Sequence, residues 1–322
     1  MRKWFFLLLL LPLSIHAVKV SFHRLKPTAE VMIPPWFTGP LLAPSSNVVP
    51  EGHYNIEPYI YAIANTAKYN SDWKPLKRKT FWSNFSQTSI QIGVVKALDV
   101  QLNPTFYYNY TQGAAKWALG DMPIGLDIEL YQWGVHLTDW AGGLKLQLKE
   151  TLPLGKYRNL NPKKLGTDIG GGGSWQTTLG IVWGNLIYLG KGHFFSGRLS
   201  LQYALPAPIH VKNLNIYGGG RGTNGTVYPA QNCQADLGIE ISLTQEWVFA
   251  MDIVGSWAGR TRFKGKTTEP NTAPSSIQYS LAPAIEYNWN GNLGIIFGPW
   301  FTVAGRNTVK FTSGIIAFNY YH

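Results

Sequence analysis

Asp236 and Glu240 stand four residues apart in "ADLGIEISL", and Asp252 follows in "VFAMDIVGSW". Asp127 and Glu129 are two apart in "GLDIELYQ", and Lys145 and Lys149 are four apart in "GLKLQLKE". Even spacing sets each group on one face of an extended strand, where carboxylates and amines can pair with one another or meet a solute. Glu57, Asp99, Arg198 and Glu286 occupy polar positions of other alternating stretches. Nucleophilic chemistry is the other possibility to weigh. A serine nucleophile needs a histidine within hydrogen-bond reach and a third group to orient the ring. His193 precedes Ser196 by three residues, which sends the two side chains to opposite faces of a strand. His210 has no serine near it in sequence, and a cross-strand partner stays open. One cysteine, Cys233, and scattered histidines give no metal-ligand cluster. The runs "GGGGSW" and "GGGRGTNG" lack the spacing of a phosphate-binding loop and lead into no helix. No catalytic residue, metal or cofactor is therefore assigned.

The elements that hold these charges have a period of two. "HYNIEPYIYA", "TSIQIGVV", "LDVQLNPTFYYNY", "GLDIELYQ" and "GLKLQLKE" each alternate apolar and polar residues. Seven further segments do the same: 175–189, 194–205, both halves of 235–257, 277–289, 293–305 and 309–321. That makes about twelve strands, most of ten or more residues, which is long for a globular protein and suits a tilted membrane strand of ~9–11 residues. Leu237, Ile239, Ile241 and Leu243 then face hydrocarbon, while Asp236, Glu240 and Asp252 face a wet interior. The expected lumen set is Glu57, Asp127, Glu129, Lys145, Lys149, Arg198, Asp236, Glu240, Asp252 and Glu286, with Asp99 beside it. Mixed charge of this kind can fill a narrow lumen as well as line a pore.

Connections carry a second signal. Tight links fall at Ala97–Leu98, Gly190–Gly192, Gln245–Glu246 and Asn290–Gly291. Asn-Gly between alternating segments is a strong hairpin signature. Long links are expected at about 65–85, 111–122, 153–173, 206–232 and 261–276, alternating with the tight ones. Short turns on one side and long loops on the other are the pattern of an outer-membrane barrel. Residues 134–141 and Arg306–Asn307 fit that alternation less well.

Composition agrees. The chain has 322 residues, 45% hydrophobic and only 14% charged, with 14% aromatic residues and 34 glycines. A soluble domain carries roughly 25% charged residues. No apolar run approaches the length of about 18 residues that a spanning helix needs. The fold expected is all-β, an antiparallel transmembrane barrel of about twelve strands. A soluble β-sandwich is the competing account.

At the N-terminus, Arg2 and Lys3 precede the apolar stretch Trp4–Leu13, and Ala17 offers a cleavage site; residues 1–17 read as a secretory signal peptide. Residues 18–51 do not alternate. Pro34, Pro35, Pro40, Pro44 and Pro50 exclude a central strand, yet Trp36, Phe37, Leu41 and Leu42 are too apolar for a free tail. A plug in the barrel mouth and a tail packed against the short turns both suit it. The barrel proper is expected over 52–322. Net charge is +11, and basic clusters at 74–79, 161–164 and 259–266 lie between strand-like segments. They suit a rim facing lipopolysaccharide phosphates or solvated loops. No nucleic-acid-binding motif accompanies them.

The closing stretch "SGIIAFNYYH" resembles the final-strand signal read by the barrel assembly machinery, with His322 in place of the usual phenylalanine. The period-two barrel with its lead-in "PPWFTGPLLAPS" resembles outer-membrane barrels of intracellular Gram-negative bacteria. More loosely, it is similar to outer-membrane channels associated with uptake of phenolic and other hydrophobic compounds. The resemblance implies passive passage of small-molecule solutes, including aromatic ones, and the chain is expected to be a monomer in a Gram-negative outer membrane. It transfers no binding residue. The alternatives are a non-conducting surface barrel whose loops bind a partner and a lipid-modifying enzyme of the outer membrane.

Overall fold

The computed structural model describes residues 36–134 and 140–322. The expected signal peptide and the start of the lead-in lie outside the described residues. Among the described residues, seventeen strands build two sheets. On the N-terminal side of the barrel are β1 (Tyr54–Tyr69), β2 (Pro75–Val95), β3 (Leu98–Leu102), β4 (Thr105–Thr111), β5 (Ala114–Leu119) and β6 (Met122–Trp133). Next come β7 (Ala141–Leu152), β8 (Gln176–Gly190) and β9 (His193–Pro206). β10 (Ile209–Lys212), β11 (Asn224–Tyr228) and β14 (Arg262–Lys266) form a separate three-stranded sheet. β12 (Asn232–Ser242), β13 (Trp247–Ala258), β15 (Ser276–Asn290), β16 (Leu293–Arg306) and β17 (Val309–Tyr321) complete the large sheet.

β1 pairs antiparallel with both β2 and β17, so the large sheet closes on itself. β3 and β4 form one stave interrupted at Asn103–Pro104, where proline lacks the N–H a ladder needs. β5 and β6 form the next, interrupted at Gly120–Asp121. Counted as staves, the barrel has twelve. Closure leaves no sheet edge, the condition for a sheet to cross a bilayer. Among the described residues no helix is long and apolar enough to cross a membrane.

The period-two reading holds along the staves. Leu237, Ile241, Leu243, Ile253 and Trp257 are exposed on the outer face, while Asp236, Glu240, Ser242, Ala250 and Asp252 are buried inside. Tight turns at 96–97, 191–192, 243–246 and 291–292 gather at one end. At the other end the links expected at 206–232 and 261–276 carry β10, β11 and β14 of the small sheet, and two further stretches differ from expectation. The stretch 65–85 is not a loop: β1 and β2 run on as a paired ribbon to a turn at 70–74, held by Asn70 Oδ1 accepting from Asp72 and Lys74 N–H at 2.9 Å each. The stretch 111–122 is not a loop either, because β4 turns into β5 through Gln112 and Gly113, both with positive φ. Neither stretch alternates cleanly in sequence, and pairing with the neighbouring strand sustains both. The basic cluster at 74–79 thus lies largely on β2, and that at 259–266 largely on β14.

Arginine in place of Ile253, near the middle of β13 on the outer face, is expected to cost about 2–4 kcal/mol in a bilayer. Denaturant titration of the variant in lipid vesicles checks this; loss below 1 kcal/mol would put that face outside hydrocarbon.

Candidate functional site

The lumen is crossed near its tight-turn end by residues 36–50, and the carboxylates read from the sequence are its fasteners. Thr38 donates its N–H to Glu286 at 2.8 Å and its hydroxyl to Asn288 at 2.8 Å. Asn288 in turn donates to the Trp36 carbonyl at 2.7 Å. Leu42 and Ala43 donate their N–H groups to the two oxygens of Asp252 at 3.2 and 3.0 Å. Val49 donates to Asp99 at 2.8 Å, and Lys145 donates to the Asn47 carbonyl at 3.3 Å. The segment therefore runs from β15 past β13 and β7 to β3, then turns into β1.

Each fastening meets a need of the prolines around it. A proline-rich stretch forms no ladder, so its N–H groups want other acceptors once buried. Ionised carboxylates are the strongest acceptors a side chain offers. Room for the backbone comes from inward glycines. A Cβ on Gly238 would stand 2.6 Å from Pro40 Cγ and 2.7 Å from Ala43 Cβ, and one on Gly143 would stand 2.6 Å from Asn47 Oδ1. Cβ atoms on Gly93 and Gly184 would overlap Pro50 and Ser46.

The named residues divide by partner. Asp252, Glu286 and Asp99 hold the inserted segment. Lys145 and Asp127 form a fully buried ion pair at 2.7 Å, and Gln147 also donates to Asp127. Arg198 pairs with Glu240 at 3.1 Å, and Ser196 donates to the same Glu240 oxygen at 2.8 Å. Glu57 accepts from Asn319 and from the Tyr59 hydroxyl. Lys149 lines the open space beside the segment. Glu129 is half-buried near the tight-turn end, its N–H on the Ala97 carbonyl at 2.9 Å. Asp236 is buried on the inner face of β12, with neither carboxylate oxygen partnered among the described residues. Of the lead-in hydrophobics, Leu41 is buried in a cluster with Tyr61, Ala250, Ala282, Ala284, Ile296, Ile315 and Ala317, and Leu42 packs against it. Trp36 and Phe37 are half-buried, Trp36 beside Gly291.

Leu41 and the inward alanines fill one side of the barrel. The other side, walled by β1–β4 and β6–β9, stays open. A cavity of about 570 Å³ lies over the segment, lined by amides including Gln87, Gln91, Gln101, Gln176 and Gln202. A second, of about 470 Å³, adjoins it and shares Gln87, Pro123, Thr151 and Gln176. The loop 153–175 bounds the second cavity. Asn109 on the inner wall donates to the Thr167 and Ile169 carbonyls at 3.3 and 2.9 Å, and Asp121 accepts from Gly155 and Gly172 N–H at 2.8 and 2.7 Å. The glycine run at 170–173 thus wraps a carboxylate. Tyr217 clamps it with a hydroxyl donated to the Gly172 carbonyl at 2.9 Å; burial, with the Asp121 charge adding, pushes that phenol up to about 12, so it stays a donor at neutral pH. His193 Nδ1 lies 3.0 Å from the Ser242 carbonyl, away from Ser196, whose hydroxyl is on Glu240.

Sequence reasoning missed the glutamines, the inward glycines and Asp121. The glutamines lie on the inward parity of their own strands, as the acidic residues do, the signal that placed Asp127 and Glu240. Asp121 sits in a stave break and had no such signal.

No family model matches the chain, and no curated protein matches it either. Solved structures do. An outer-membrane channel from Pseudomonas putida F1 superposes with a TM-score of 0.67 at 12% identity, over 86% of this chain and 98% of that one. The β-domain of the Bordetella autotransporter BrkA gives 0.44 at 9% identity, over 83% and 98%. The P. putida toluene transporter TodX gives 0.39 at 9% identity, over 84% and 90%. With its closed sheet of twelve staves and its likeness to the first of these, this chain has the fold of an outer-membrane β-barrel.

Proposed function

We propose that this protein is an outer-membrane channel for passive passage of small solutes, narrowed at its periplasmic end by residues 36–50. The observation that carries the reading is the pair of adjoining cavities on one side of the lumen. They run from the inserted segment to the loop 153–175 and share the wall of Gln87, Pro123, Thr151 and Gln176. On this reading the tight turns are periplasmic and the three-stranded sheet stands outside the cell. The basic residues of β2 and β14 then face lipopolysaccharide phosphates, the assembly machinery receives the C-terminal strand, and the chain works as a monomer.

A second reading has support of its own. The segment below and the loop above narrow the lumen at both ends, as suits a surface barrel that binds a partner and conducts nothing. Ion current across planar bilayers separates the two. The channel reading expects discrete conductance steps from the intact protein, and a severalfold larger step when residues 37–49 are replaced by a short glycine-serine link. Silence from both proteins, each shown to be folded by heat-modifiable gel mobility, would favour the surface barrel.

The fastening role of Asp252 has a separate test. Charge-assisted hydrogen bonds are worth about 1.5–3 kcal/mol each, so Asp252→Ala should speed hydrogen exchange at Leu42 and Ala43 by roughly 10- to 100-fold. Unchanged exchange would mean that the glycine-lined bed alone holds the segment.

A further inference from the structure

Four rings on the inner wall touch in a row, a track from one cavity to the other, with Phe85, behind the cavity walls, joining Tyr61 to Tyr107. Tyr59 and Tyr61 stack with centroids 5.9 Å apart, Tyr61 and Phe85 stack at 4.2 Å, and Phe85 meets Tyr107 at 5.3 Å. Tyr59 and Tyr61 line the larger cavity and Tyr107 lines the smaller. The cross-strand pairing fixes this order: Tyr61 is opposite Phe85, and Phe85 is opposite Tyr107.

Beside the rings the wall offers amides already oriented by their neighbours. Gln87 Nε2 donates to Thr105 Oγ1 at 3.1 Å and Gln202 Nε2 donates to Ser200 Oγ at 3.3 Å, which leaves each Oε1 as an acceptor. Gln91 accepts from Asn55 on Oε1 at 3.5 Å, which leaves its Nε2 as a donor. Most of the charged groups here already have partners. Of the charged groups lining the two cavities, Arg198 is paired with Glu240 and Asp121 is wrapped by the Gly155 and Gly172 amides, which leaves Glu57 and Lys149, one of each sign.

We propose that this track binds neutral ring-shaped solutes that carry several hydroxyl groups, the chemistry of a monosaccharide. The inference rests on the channel reading for its route and on the wall for its ligand. A sugar ring has a C–H face that packs on aromatic faces and a rim of hydroxyls that both donate and accept. Mixed amide donors and acceptors satisfy such a rim. A hydrocarbon would strip water from those amides and give nothing back. An anion would meet a lumen whose inward carboxylates outnumber Lys145, Lys149 and Arg198.

The test uses the full-length protein in detergent micelles and in planar bilayers, with glucose, sorbitol, gluconate and toluene as probes. Ligand-observed saturation-transfer NMR reads binding without requiring conduction. Glucose is expected to bind and to reduce the ion current saturably. Sorbitol, which has the hydroxyls without the ring, and gluconate, which is open-chain and also charged, should bind about tenfold more weakly. Tyr107→Leu and Gln87→Leu should each weaken glucose by about tenfold, with heat-modifiable mobility retained as the check on folding. No transfer to glucose, stronger binding of toluene or gluconate, or glucose binding untouched by both substitutions would overturn the proposal. Ion current without glucose binding removes the track and keeps the channel. Glucose binding without any current keeps the track and removes the channel.

Discussion

A peptide backbone laid inside a barrel must have its N–H groups accepted by something other than a strand. Here the acceptors are carboxylates of the barrel wall. Asp252 takes two consecutive amides, and Glu286 and Asp99 take one each at the two ends of the segment. The need is mutual. A carboxylate that loses water is costly unless hydrogen bonds replace the hydration, and backbone amides do so without bringing a charge. The inward glycines follow from the same contact, because only a strand position without a side chain lets backbone come close enough for these bonds. The ion pair of Lys145 with Asp127 belongs to this arrangement too, since Lys145 also reaches the Asn47 carbonyl.

That fastening divides the lumen. Pulled towards β13 and β15 by Asp252 and Glu286, the segment brings Leu41 against alanines and isoleucines on the inner face of β13–β17. This half closes as an ordinary apolar core. The opposite half keeps polar side chains with space in front of them. A single inserted stretch of fifteen residues, 36–50, therefore sets both where the barrel is solid and where a solute can lie.

The barrel was legible in the sequence because its signal is repeated. Every stave shows the same alternation, and one poorly marked stave, such as the one broken at Pro104, is carried by its neighbours. The inward parity of Asp127, Lys145, Glu240 and Asp252 was readable for the same reason. What those charges touch was not readable. Asp252 and Leu42 are 210 positions apart, and no local pattern links them. The strand β5 was misread as loop because "AAKWAL" pairs outside the apolar band, where alternation has no two solvents to report on. The glutamine wall was overlooked for a simpler reason: polar, uncharged residues at inward positions look like any solvated face until the rings opposite them are placed.

The segment enters the chain immediately before β1, and β1 is the strand on which β17 closes. Its fasteners come from β3, β7, β13 and β15, so the set is complete only when most of the wall exists. Yet once the seam between the first and last strands has zipped, the interior is reached only through its ends. Assembly thus joins two slow, sequence-distant events at one place, ring closure and the seating of the strap beside it. The joint β1–β17 is where the finished cylinder commits to having something inside.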